Sequence, residues 1–102
     1  MYGLSDDTVA NLRTIFSSFD KVQKVILFGS RAKNEYHEGS DIDFAVIGDG
    51  IDLSLLHKIE LEIDKLYLPY RIDLINYRQI TNKELRAHID SIGKLFYVKN
   101  PH

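Results

Sequence analysis

Residues 26–48 read ILFGSRAKNEYHEGSDIDFAVIG, two apolar runs joined by a polar stretch. The first run, entered through Lys24 and Val25, is short, rich in β-branched residues and halted by Gly29, which is the pattern of a buried strand. The second, from Asp41 to Gly48, is apolar on both faces over its last residues, as expected of a central strand. Between them a short helix is expected to begin at Ser30, with residues 37–40 as a loop. Two carboxylates, Asp41 and Asp43, therefore head a buried strand and face a Gly-Ser turn.

Elements on either side extend this αβ pattern. Ser5 can cap a first helix, with Asp6 and Asp7 in its first turn and Val9, Leu12, Phe16 and Phe19 at helical spacing. After the second strand, Asp52 can cap a helix whose buried stripe is Leu55, Leu56, Ile59, Ile63 and Leu66, with Pro69 closing the segment. Residues 70–77, YRIDLINY, read as a third strand with Tyr70, Ile72 and Leu74 on one face and Arg71, Asp73 and Ile75 on the other. Thr81 and Glu84 in TNKE have the form of a capping box for a helix running through Leu85 and Ile89 or Ile92. Gly93 is placed to end that helix, leaving KLFYV (94–98) as a last strand or an extended tail. The fold class is α/β or α+β, a small mixed sheet with helices packed on it.

Composition limits the functions open to such a domain. The 102 residues form one domain, 44% hydrophobic and 27% charged, with only two prolines and six glycines, so no linker divides the chain. Thirteen basic against fifteen acidic residues give a charge of −2, which argues against a basic surface for direct nucleic-acid binding. No cysteine is present, so disulfides and thiolate metal sites are excluded. No apolar run is long enough to cross a bilayer, and the amino terminus has no signal-peptide pattern; a cytoplasmic location is expected.

The acidic residues carry the chemistry. Asp41 and Asp43 alternate on a strand, so both point to one face, with Cα atoms about 6.5–7 Å apart. Two metal ions in a phosphoryl-transfer site lie about 3.5–4 Å apart, a separation that such a pair can grip. Carboxylate ligands favour Mg²⁺ or Mn²⁺ over zinc. Asp73, in the middle of RIDLI, would be costly as a buried ion unless paired or metal-bound, and it joins the cluster if its strand lies beside Asp41 and Asp43. Gly29 lets backbone approach a ligand closely, and a helix beginning at Ser30 would aim free N–H groups and a hydroxyl at phosphate. Taken singly, each piece has a plainer reading: a Gly-Ser N-cap, a solvated Asp-x-Asp, an Asp73 paired with Arg71 or another cation. Their joint order is what points to a site.

Gly29-Ser30, ten intervening residues and Asp41-Ile42-Asp43 resemble the signature of the DNA polymerase β-like nucleotidyltransferase superfamily. The stretch FGSRAKNEYHEGSDIDFAVIG is similar to the minimal nucleotidyltransferase (MNT) family, and Asp73 in RIDLI matches its third carboxylate. The resemblance implies a palm-like core in which Asp41, Asp43 and Asp73 are catalytic and hold two Mg²⁺ ions, with Mn²⁺ as the substitute. It also implies that Gly29 and Ser30 bind the triphosphate of ATP or another NTP. Arg31 matches the GSRA part of the pattern and is expected either at a phosphate or in a surface salt bridge. Ser40 is counted with the nucleotide-binding residues. Lys33-Asn34 stands where many members carry Arg-Gly; Asn accepts left-handed geometry, so the turn is expected to survive. His37, His57, His88 and His102 show no metal-ligand spacing and are read as surface residues.

The resemblance implies transfer of AMP from ATP to an acceptor hydroxyl, with Asp73 assisting deprotonation. Base selection and acceptor docking are expected to need another surface, since the predicted elements account for the core. The family implies a HEPN-domain partner, the chain being the antitoxin that adenylylates a tyrosine of its toxin; Tyr67 and Tyr70 are candidates for that interface, or else for core packing. A homo-oligomer is a further arrangement to be tested. Two other functions compete: a catalytically silent module that neutralises its partner by occlusion, and a metal-dependent phosphohydrolase. The Gly-Ser turn favours a triphosphate substrate over the hydrolase.

Overall fold

Local signals place most of the elements in the computed structural model, which describes residues 1–37 and 39–100. Ser5 caps α1 (Asp6–Ser17), its hydroxyl accepting from the Thr8 N–H, and Val9, Leu12 and Phe16 form the buried stripe. Strand β1 spans Lys24–Phe28 and β2 spans Ile42–Ile47. Asp52 caps α2 (Leu53–Asp64), accepting from the Leu55 N–H, with Leu56, Ile59 and Ile63 buried. Strand β3 (Ile72–Asn76), a 3₁₀ turn (Tyr77–Gln79), α3 (Lys83–Ile92) and β4 (Lys94–Val98) complete the order.

The sheet runs β3-β2-β1-β4, with β1 antiparallel to both of its neighbours and β2 parallel to β3. It is the mixed sheet expected, and KLFYV is a strand rather than a tail. Alternation divides the core between its faces. Leu27, Phe44 and Val46 pack with α1 and α2, where Phe16 meets Phe44 edge-on at 5.2 Å and Phe96 lies 4.8 Å from Phe44. Phe28 and Ala45 pack with Ile89 of α3 in a second cluster. Among the described residues no helix is long and apolar enough to cross a membrane.

Three expectations change. The helix expected at Ser30 is a single turn, closed by bonds from the Lys33 N–H to Gly29 O and from the Glu35 N–H to Ser30 O. Asn34 sits in the left-handed region (φ 62°) and ends the turn, as an Asn can. The cap of α3 is Asn82, not Thr81: the Asn82 side chain accepts from the Leu85 N–H, one residue later than the capping box placed it. Helix α2 stops at Asp64, before Pro69, because tight bonds from Leu66 and Tyr67 to Ile63 and Asp64 end it, with Tyr67 left-handed. Gly93 does end α3, as expected, in an extended conformation (φ −59°, ψ 147°); a Cβ there would collide with Ile89 O. In the loop expected at 37–40, Glu38 lies outside the described residues, as does His102.

Candidate active site

Strand register builds the site. Phe28 of β1 is the cross-strand partner of Asp43, and on the other side of β2 Asp43 lies opposite Asp73 of β3. One carboxylate is thus flanked by the strand end that delivers Gly29-Ser30 and by a second carboxylate. The alternation that sends Ala45 toward α3 sends Asp43 the same way.

Of the three carboxylates, Asp43 carries the electrostatic load. Its pKa is raised from the ordinary 3.8, first by burial, then by the charges of Asp73 and Asp41, and by a side-chain hydrogen bond with Asp73 that favours the protonated form. Asp73 itself is exposed, because β3 is an edge strand, so its charge bears little of the burial cost expected from its apolar neighbours. Asp41 stands one residue ahead of β2, exposed, and its repulsion on Asp43 ranks below that of Asp73. The structure brings Asp43 and Asp73 together and leaves Asp41 beside them. Among the described residues no three histidine or carboxylate side chains close into a ready-made metal cage.

Gly29 has φ 78°, and a Cβ at this position would run into the Asp43 carboxylate. Only glycine lets the turn lie against the acid. The Gly29 N–H does not point into open space: it donates to Nε2 of His88 at 3.3 Å. The Ser30 hydroxyl and the N–H groups of Ser30, Arg31 and Ala32 donate to no described residue, so they are the donors the turn leaves available.

Arg31 and Ser40 are directed inward. Arg31 is 2% exposed; its Nε and Nη2 donate to Ser40 O at 3.1 and 2.8 Å, and its Nη1 to Tyr2 O at 2.8 Å. Its guanidinium packs on the rings of Tyr36 and Tyr70, 5.2 and 4.7 Å from their centroids. The Ser40 hydroxyl accepts from the His37 N–H at 2.9 Å. Both residues build the loop that leads into Asp41, and Arg31 is buried on carbonyls and rings instead of forming the exposed ion pair that was one of its two expected arrangements. Tyr67 is 90% exposed, whereas Tyr70 is part of the Arg31 stack.

His88 corrects the reading of the histidines. His37 and His57 are exposed as expected, but His88 is half-buried, with its ring edge-on to Phe28 at 6.3 Å. A signal was available: Leu85, His88, Ile89 and Ile92 share one helical stripe, and a histidine in an apolar stripe faces the fold.

Comparison with known proteins bears on the family and the fold. The family model described as "Polymerase beta, Nucleotidyltransferase" matches residues 10–102. Two proteins of Methanocaldococcus jannaschii are similar in sequence. "Putative protein adenylyltransferase MJ0604" is 35% identical over 68 residues, 64% of each chain. Its namesake MJ0126 is 40% identical over 72 residues, 69% of this chain and 71% of the relative. The match thus spans a little under two thirds of the first relative's length. Among solved structures, a toxin–antitoxin crystal structure with AMP-PNP superposes with a TM-score of 0.71 at 22% identity, covering 95% of this chain and 76% of the other. A chain from the complex of the tri-AMPylated Shewanella oneidensis HEPN toxin with its MNT antitoxin gives 0.64 at 21% identity, covering 97% and 74%. At these identities the two structures show a shared fold.

Proposed function

The chain belongs to the polymerase beta nucleotidyltransferase family, and from that premise we propose that it transfers AMP from ATP to a hydroxyl of a partner protein. The acceptor is a tyrosine of a HEPN-domain toxin, for which this chain is the antitoxin. The observation that carries the reading is the register Phe28–Asp43–Asp73, which sets a carboxylate pair against the Gly29-Ser30 turn. The names of the two Methanocaldococcus jannaschii relatives support adenylyl transfer to protein, and the AMP-PNP and tri-AMPylated complexes support the nucleotide and the partner.

The donor set suits a divalent cation. Asp41, Asp43 and Asp73 offer oxygen ligands only; burial and then the repulsion of its two neighbours raise the Asp43 pKa, and a bound dication would offset that repulsion. These residues would hold Mg²⁺, two ions by the family's pattern, with Mn²⁺ as the substitute; when bound, the metal lowers the pKa of the acceptor hydroxyl and steadies the leaving pyrophosphate. The chain's own groups do the rest. Ser30 presents its N–H and hydroxyl to the phosphates, while the Asp43 carboxylate is held in place against Gly29. Asp73, exposed at the sheet's edge, takes the acceptor's proton as the hydroxyl oxygen bonds to the α-phosphorus and the bond to the β-phosphate oxygen breaks.

Label transfer tests the reading. The protein, a HEPN-domain partner, Mg²⁺ and ATP labelled at the α-phosphate should yield a labelled tyrosine on the partner. No label, with neutralisation equally strong in an Asp41→Asn/Asp43→Asn variant, would replace transfer by occlusion.

A further inference from the structure

Both peptide groups that flank the Gly29 Cα are pinned. The Gly29 N–H donates to His88 Nε2 at 3.3 Å, and the Gly29 carbonyl accepts from the Lys33 N–H at 3.2 Å. Accepting at Nε2 requires a neutral ring with its proton on Nδ1. His88 is fixed in turn: its ring stands at 82° to that of Phe28, and its neighbour Ile89, 1% exposed, anchors α3 in the cluster with Phe28 and Ala45. A glycine peptide in the left-handed region is easily reoriented, so a turn built on φ 78° needs such partners to keep one orientation. With Gly29 held, Ser30 is the first residue of the turn whose N–H and hydroxyl donate to no described residue, followed by the N–H groups of Arg31 and Ala32.

We propose that His88 is a positioning residue for the triphosphate: it holds the Gly29 peptide so that Ser30, and not the Gly29 N–H, meets the phosphate oxygens. This rests on the nucleotidyl-transfer reading of the site. It makes α3, which contributes no carboxylate to the cluster, part of the nucleotide-binding apparatus, and it assigns an acceptor from 59 residues downstream to the phosphate turn.

Two substitutions separate the acceptor from the packing. His88→Gln keeps an acceptor, Oε1, at comparable reach; His88→Phe keeps a ring against Phe28 but cannot accept. Binding of AMP-PNP with Mg²⁺ to the full chain is measured by calorimetry, and hydrogen exchange of the Gly29 amide by NMR. The Gln variant should bind within about threefold of wild type with Gly29 still protected. The Phe variant should bind roughly three- to tenfold more weakly, the effect of one hydrogen bond, with faster Gly29 exchange. If the Phe variant does not fold, His88→Leu takes its place. Wild-type affinity in a folded variant lacking the acceptor overturns the inference alone. Failure of the wild type to bind AMP-PNP overturns the nucleotide reading and the inference with it.

Discussion

Asp43 and Asp73 lie directly opposite each other across the parallel β2–β3 pair, one half-buried beneath the Gly29 turn and the other on the exposed edge strand. A parallel pair needs a crossover, and α2 supplies it, so two acids far apart in sequence become neighbours through one βαβ unit.

Removing either charge should stop transfer. Asp43→Asn and Asp73→Asn are each expected to lower the rate by ~100-fold or more, at or beyond the upper end of the 10–100-fold typical of groups that merely orient metal ligands. Both should fold, because Asn keeps the size of Asp. Single-turnover labelling of the partner checks this, with unfolding midpoints measured alongside.

Stability should depend on Asp43 in a definite direction. Its folded pKa is raised, so the folded state holds the proton more tightly than the unfolded state does. Stability therefore falls as pH rises from the ordinary 3.8 through the raised value, and stays lower above it. At neutral pH without divalent metal, Asp43→Asn should melt higher than wild type. Mg²⁺ should raise the wild-type midpoint and leave that of the variant nearly unmoved. Thermal melts with EDTA or Mg²⁺ give the four values needed.

Gly29→Ala should damage fold and function together. Left-handed backbone costs an Ala about 1–2 kcal/mol, and its methyl group would displace the Asp43 carboxylate. Gly39→Ala is the control: φ there is 86°, but a Cβ would meet nothing within 4 Å. Both should lose stability, while only the Gly29 variant loses transfer, by at least ~10-fold.

Arg31→Lys should act on stability. A lysine cannot bridge the Ser40 and Tyr2 carbonyls or stack between Tyr36 and Tyr70, and a buried carbonyl left without its donor costs about 1–3 kcal/mol. Urea unfolding should show that loss. A drop in AMP-PNP affinity with stability untouched would instead put Arg31 at the phosphate.

Elements governed by neighbouring residues were legible in the sequence. Lys24–Phe28 is a strand because five consecutive residues say so, and Ser5 and Asp52 cap helices because their side chains reach only three residues ahead. Where two local signals competed, as at Thr81 and Asn82, both residue types can cap, and the side chain of Asn82 is the one that accepts from the Leu85 N–H. The site was legible in its residue types and less so in its environment. The burial cost assigned to Asp73 belongs to Asp43, because strand order, which no local pattern encodes, puts β3 at the edge. The inward turn of Arg31 depends on Tyr2, Tyr36, Ser40 and Tyr70, and the role of His88 on a contact with the far side of the sequence.

The bond from Arg31 to the Tyr2 carbonyl has a practical consequence. Leu4 is buried and its N–H donates to Met1 O, so the first residues are a folded buttress under the loop that carries Asp41. Trimming them, or forcing a rigid fusion onto Met1, would loosen the Arg31 clamp from below. An amino-terminal tag would then disturb the loop that carries Asp41 without touching a carboxylate.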